Sequence, residues 1–70
     1  MTHYTAAQRE SIAADHDRWA DQKQALADRL ASQGATIAAE TQQRAADERR
    51  EVAAAARNSS DALSEILNPL

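Results

Sequence analysis

From Ile12 onward, large apolar residues return at every seventh position, at Ile12, Trp19 and Leu26. Leu30 follows four residues later and Ile37 seven after that. Seven residues make two turns of helix, so these side chains share one stripe. Ala13, Ala20 and Ala27 flank that stripe, while Arg9, His16 and Lys23 interrupt it. The seam is therefore half apolar, and long cationic side chains can lay their stems along it with the charge in water. "YTAAQ" supplies a start, because Thr5 stands three residues before Gln8 in the pattern of a capping box.

Beyond Ile37 this register fails, since its next positions are Glu40, Arg44, Asp47 and Glu51. A second stripe begins one residue out of phase, at Ala38, Ala45, Val52, Ser59 and Ile66, joined by Ala56, Leu63 and Leu70 and broken by Arg49. An offset of one residue swings the apolar face by about 100°. Gly34, the only glycine in the chain, lies where this change must be absorbed. Glycine suits the left-handed residue that ends many helices, and Thr36 then stands ready to cap a new one, with Glu40 in its first turn.

The pattern predicts an all-α fold: a two-helix antiparallel hairpin over about 5–33 and 36–67, assembling into a helical bundle or coiled coil. Residues 1–70 form a single helical domain, with flexible ends at 1–4 and 68–70. One long continuous helix is the alternative, because an interior glycine costs only about 1 kcal/mol. In the hairpin Leu30 is expected against Ile37, Leu26 against Thr41, Ile12 near Ala55 and Ala56, and Thr5 near Leu63. Bulky residues of the first helix would thus meet small ones of the second.

Within the second helix, Glu40 and Arg44 have the spacing of a favourable pair, and Asp47 and Arg50 that of a weaker one. "NSSD" interrupts the pattern. Asn58 with Asp61 resembles a cap restarting a short helix, although a continuous helix with these polar residues facing water is the expected form. Asn68-Pro69 stops the helix, because the residue before proline is pushed out of the α region. The closing "ALSEILNPL" gathers Leu63, Ile66, Leu67 and Leu70. This stripe either completes the core or docks in another protein's groove.

Composition changes the picture at one point. The chain has 70 residues, no cysteine and only twelve large apolar side chains. At about 1.5–3 kcal/mol per fully buried side chain, these cannot offset the ordering of the whole chain unaided. Oligomerisation or docking is therefore expected, with Trp19 as its natural buried anchor. Abundant alanine and a net charge of -3 argue against disorder. Arginine outnumbers lysine seven to one, which together with the alanine content associates with GC-rich bacterial or phage genomes.

Candidate chemistry is sparse. Asp15, His16 and Asp17 are consecutive, so on a helix they diverge by about 100° each and cannot converge on one metal. The serines lack a positioned base, and a single glycine cannot build a phosphate-cradling loop. No catalytic residue, metal or cofactor is expected. The arginines of "DERRE" are interleaved with acids and lack aromatic neighbours, which argues against nucleic acid as a partner. No apolar run reaches membrane-spanning length, and the N-terminus lacks the signal-peptide pattern, so a cytoplasmic or virion setting is expected.

The expected function is that of a non-enzymatic helical interaction or assembly module, acting as a homo-oligomer or as a small subunit of a larger complex such as a phage particle. The alternative is a small acidic regulator that binds one protein target. The candidate interaction residues are Ile12, Trp19, Leu26, Leu30, Ile37, Val52, Leu63, Ile66, Leu67 and Leu70.

Overall fold

A computed structural model describes residues 3–68 of the chain. It is all-helical over those residues: α1 (Ala6–Ser32), α2 (Thr36–Asn58) and α3 (Ser60–Leu67). The two long helices pack side by side as an antiparallel hairpin, and the molecule measures 44 × 24 × 12 Å.

The capping box at the start of α1 is complete. The Gln8 backbone N–H donates to Thr5 Oγ1 at 3.1 Å, and the Thr5 N–H donates to Gln8 Oε1 at 2.9 Å. Two orphan donors of the first turn are satisfied in this way. At the other end Gln33 is the C-cap and Gly34 adopts φ 80°. The Gly34 N–H donates to the Ala31 carbonyl and the Ala35 N–H reaches back to that of Leu30. This pair of bonds is a Schellman motif, which closes α1 and turns the chain around. Gly34 thus makes the reversal expected of it.

The start of α2 differs from expectation. Its N-cap is Ala35, with no side-chain cap, and Thr36 is already the first helical residue. The Schellman bonds draw Ala35 against the end of α1, so α2 begins one residue earlier than a Thr36 cap allows.

The helical pattern over 36–67 is also divided. Ser59 is fully extended, at φ -166° and ψ 164°, and its Oγ accepts the Ala62 N–H at 3.0 Å. The cap of the new helix is therefore Ser59, one residue beyond Asn58, and the continuous helix is corrected. A serine that can bond the backbone two or three residues on gives the chain an alternative to helix here. α3 ends at Leu67, with Asn68 as its C-cap.

The core is small. Its buried residues are Ala13, Ala20 and Ala27 on α1, Ala39, Ala46, Ala53 and Ala56 on α2, and Leu63 on α3. Among the described residues Leu63 is the one large side chain that is completely buried, and it rests on Ala13, Ala53 and Ala56 with Tyr4, Ile12, Val52 and Ile66 around it. Tyr4 was expected in a flexible end. Instead it packs against this cluster and its N–H donates to Ser60 Oγ at 2.8 Å.

Candidate interaction surface

In both long helices the seam lies one residue C-terminal to the stripe expected from bulk. Ala13, Ala20 and Ala27 hold the inner line of α1, and Ala39, Ala46 and Ala53 that of α2. The register follows from side-chain contacts across the hairpin. Gln24 and Gln43 exchange amide hydrogen bonds at 2.7 and 2.8 Å, and Arg9 donates to the Ala56 carbonyl at 3.0 Å. These contacts bring Ala13 level with Ala53, Ala20 with Ala46, and Ala27 with Ala39. Methyl groups facing methyl groups let the backbones approach closely, which bulky residues on the seam would prevent.

The large residues consequently stand beside the seam. Helical geometry puts Ile12, Trp19 and Leu26 in one row on α1, about 100° from the alanines, and Ala38, Ala45 and Val52 in the corresponding row of α2. Between these rows lie His16, Lys23 and Leu30 from α1 and Gln42, Arg49 and Ala56 from α2. Together they form one broad flank of the hairpin. Trp19, expected as a buried anchor, is 39% exposed in this flank. Its ring meets His16 edge-on at a centroid distance of 4.9 Å, and the Arg49 guanidinium sits 5.0 Å from its centroid. Both contacts leave the outer edge of the indole uncovered.

Other expected pairings give way for the same reason. Ile37 is 81% exposed rather than buried against the end of α1. Thr41, expected against Leu26, is exposed and returns its hydroxyl to the Ile37 carbonyl at 3.1 Å. Ile12 does lie against the Ala53–Ala56 cluster, and Val52 and Ile66 join it. Leu67 is 40% exposed, and Leu70 lies outside the described residues. Glu40 and Arg44 form no ion pair among the described residues, while Asp47 and Arg50 meet at 3.4 Å.

α3 covers only part of the flank. Leu63 and Ile66 lie on Ile12, Val52 and Ala56, at the open end of the hairpin. From His16 to Leu30 no layer lies above the flank among the described residues. The opposite flank is polar and closed upon itself. There Arg57 bridges Asp17 at 2.7 Å and Glu10 at 3.3 Å, and Arg50 donates to Gln24 at 3.0 Å. Asp17, then Glu10, raises the Arg57 pKa above its ordinary value by hydrogen bonding to the guanidinium.

The residues of "ADHDR" have separate partners. Asp15 pairs with Arg18, the His16 Nδ1–H donates to the Ile12 carbonyl at 2.8 Å, and Asp17 holds Arg57. Among the described residues no group of three or more His, Cys, Asp or Glu side chains could hold a metal ion. No helix among them is long and apolar enough to cross a membrane.

The seam alanines of α2 and the Gln24–Gln43 pair are the positions that reasoning from bulk overlooks. Their signal is alanine at seven-residue spacing in both helices, at Ala13, Ala20 and Ala27 before the turn and at Ala39, Ala46 and Ala53 after it. No family model, curated protein or solved structure matches this chain.

Proposed function

We propose that this chain is a non-enzymatic helical interaction module, a small part of a larger assembly that docks through the flank carrying Trp19, Leu26 and Leu30. One observation carries the reading. α3 covers Ile12 and Val52, while the continuation of the same rows, with Trp19 39% exposed, has no cover among the described residues. Helices with an apolar row gain stability by burying it, and the hairpin leaves that gain unused over most of its length.

The same thin core favours a second reading, a small regulator that becomes fully ordered only on its target. Seven of the eight buried core residues are alanine, each removing little apolar surface from water. The helicity of the free chain separates the two. A helical chain at low micromolar concentration supports the assembly module, and a chain that gains most of its helix on binding supports the regulator.

Site-specific photo-crosslinking in the native cell tests the surface itself. A crosslinker at Ala45, in the uncovered flank, should give discrete adducts identifiable by mass. The same group at Ala54, which is exposed on the polar flank, should give none. Equal labelling from both positions, or none from Ala45, would remove the basis of the proposal.

A further inference from the structure

The uncovered flank has a charge of one sign. Its inner rows hold Arg9, His16, Lys23 and Arg49 and not one carboxylate. The carboxylates of Glu10, Asp17, Asp21, Asp28, Glu40 and Asp47 fall in rows of the opposite flank. Asp15 and Glu48 stand only at the outer margins, and Asp15 is paired with Arg18. Among the described residues neither Lys23 nor Arg49 pairs with a carboxylate, and the Arg49 guanidinium lies over the Trp19 ring.

This distribution decides between occupants. Two copies joined flank to flank would place Lys23 and Arg49 of both chains inside one four-helix bundle without an acid among them. Burying unpaired cations is costly, and the nearest acids of a second copy, Asp15 and Glu48, lie beyond the outer rows. A second copy of this chain is therefore a poor fit.

The molecule already shows what fits. α3, "SDALSEIL", lays Leu63 and Ile66 on the open end of this flank while Asp61 and Glu65 stay exposed. It is an acidic amphipathic helix seated on the hairpin. Beyond it, the tall row of Trp19 and Leu26 stands beside the low row of Ala38 and Ala45, so the rows form a step along which a helix can lie.

We propose that the flank from His16 to Leu30 receives an amphipathic helix of another protein, apolar along one stripe and acidic beside it, which continues the layer begun by α3. Its length is about four turns, because the fifteen residues from His16 to Leu30 span about 21 Å. Carboxylates beside its stripe meet Lys23 and Arg49, and its apolar residues cover Trp19, Leu26 and Ala45. This rests on the reading of the flank as an interaction surface and names the chemistry of what it accepts.

Trp19 is the one tryptophan of the chain and reports directly on its own burial. The full chain is titrated with a designed eighteen-residue peptide carrying Leu at i, i+3, i+4 and i+7 and Glu beside them. The expected result is a saturable blue shift of Trp19 emission, weakened at least tenfold by Lys23→Glu and further by adding Arg49→Glu. Lys23→Glu alone keeps the test sound if the double variant loses helicity. The same peptide with Lys in place of Glu should give no shift.

Equal binding of the Lys peptide, indifference to Lys23→Glu, or no shift with either peptide overturns the inference. A blue shift of the free chain that grows with its own concentration, with a dimeric mass in sedimentation, also overturns it and makes the second copy the occupant, leaving the interaction-surface reading intact. A shift produced by phosphatidylserine-containing vesicles but by neither peptide overturns both. Crosslinking from Ala45 stands or falls separately, which keeps the two failures distinguishable.

Discussion

Gln24 and Gln43 face each other across the hairpin and exchange two amide hydrogen bonds, at 2.7 and 2.8 Å. The pair sits in a longer chain. Gln24 also donates to Asp28 and accepts from Arg50, and Gln43 donates to Asp47. Alanine methyl groups pack almost equally well after a slip along the axis, whereas this amide pair meets only in one register.

Replacing either glutamine by alanine should cost about 1 kcal/mol, because the remaining part-buried amide loses its partner. The double replacement should cost less than the sum of the two. Denaturant melts of the four-member cycle measure this coupling, and strict additivity would show that the pair does not set the register.

Ala46 is completely buried on the seam, whereas Ala54 is exposed. Ala46→Leu should push the helices apart and destabilise the hairpin by about 1–3 kcal/mol or more. Ala54→Leu should change the melting temperature little, since helix propensity is nearly unaltered. Thermal melts of the two variants side by side decide whether close approach holds the helices together.

Gly34 has φ 80°, yet a Cβ added there would meet nothing within 4 Å. The penalty of Gly34→Ala is therefore one of backbone conformation alone, about 1–2 kcal/mol. Gly34→Asn should recover part of it, because asparagine tolerates the left-handed region. Identical stability of all three chains would indicate that the turn does not need this conformation.

Among the described residues Leu63 is the only large side chain buried completely, and it joins α3 to both long helices. Leu63→Ala should cost about 2–5 kcal/mol and release α3 before the hairpin. Hydrogen exchange should then show lost protection across 60–67 while the middle of α1 and α2 stays protected. Uniform loss would mean that α3 and the hairpin unfold as one unit.

Much of this architecture was legible in the sequence. Thr5 and Gln8 announced the start of α1, the register change pointed to Gly34, and Asn68-Pro69 marked the end of the last helix. The seam itself was misplaced by one residue in each arm. Ranking positions by bulk selected Ile12, Trp19 and Leu26, but the larger contribution comes from how near the two backbones can come, and alanine decides that. The same substitution of criteria misplaced Ile37 and Thr41. The break at Ser59 was visible as a weakness. Its choice over a continuous helix depended on Leu63 finding Ala13, Ala53 and Ala56, a contact between residues far apart in sequence.

The alanine seam repeats every seven residues in both arms, while the turn and the α3 end each close on their own local contacts. Length is therefore a separable property of this protein. Adding or removing one heptad in each arm together, between Ala20 and Ala27 and between Ala39 and Ala46, would alter the span by about 10 Å and leave both ends unchanged. The hairpin works as a ruler whose graduations are alanines.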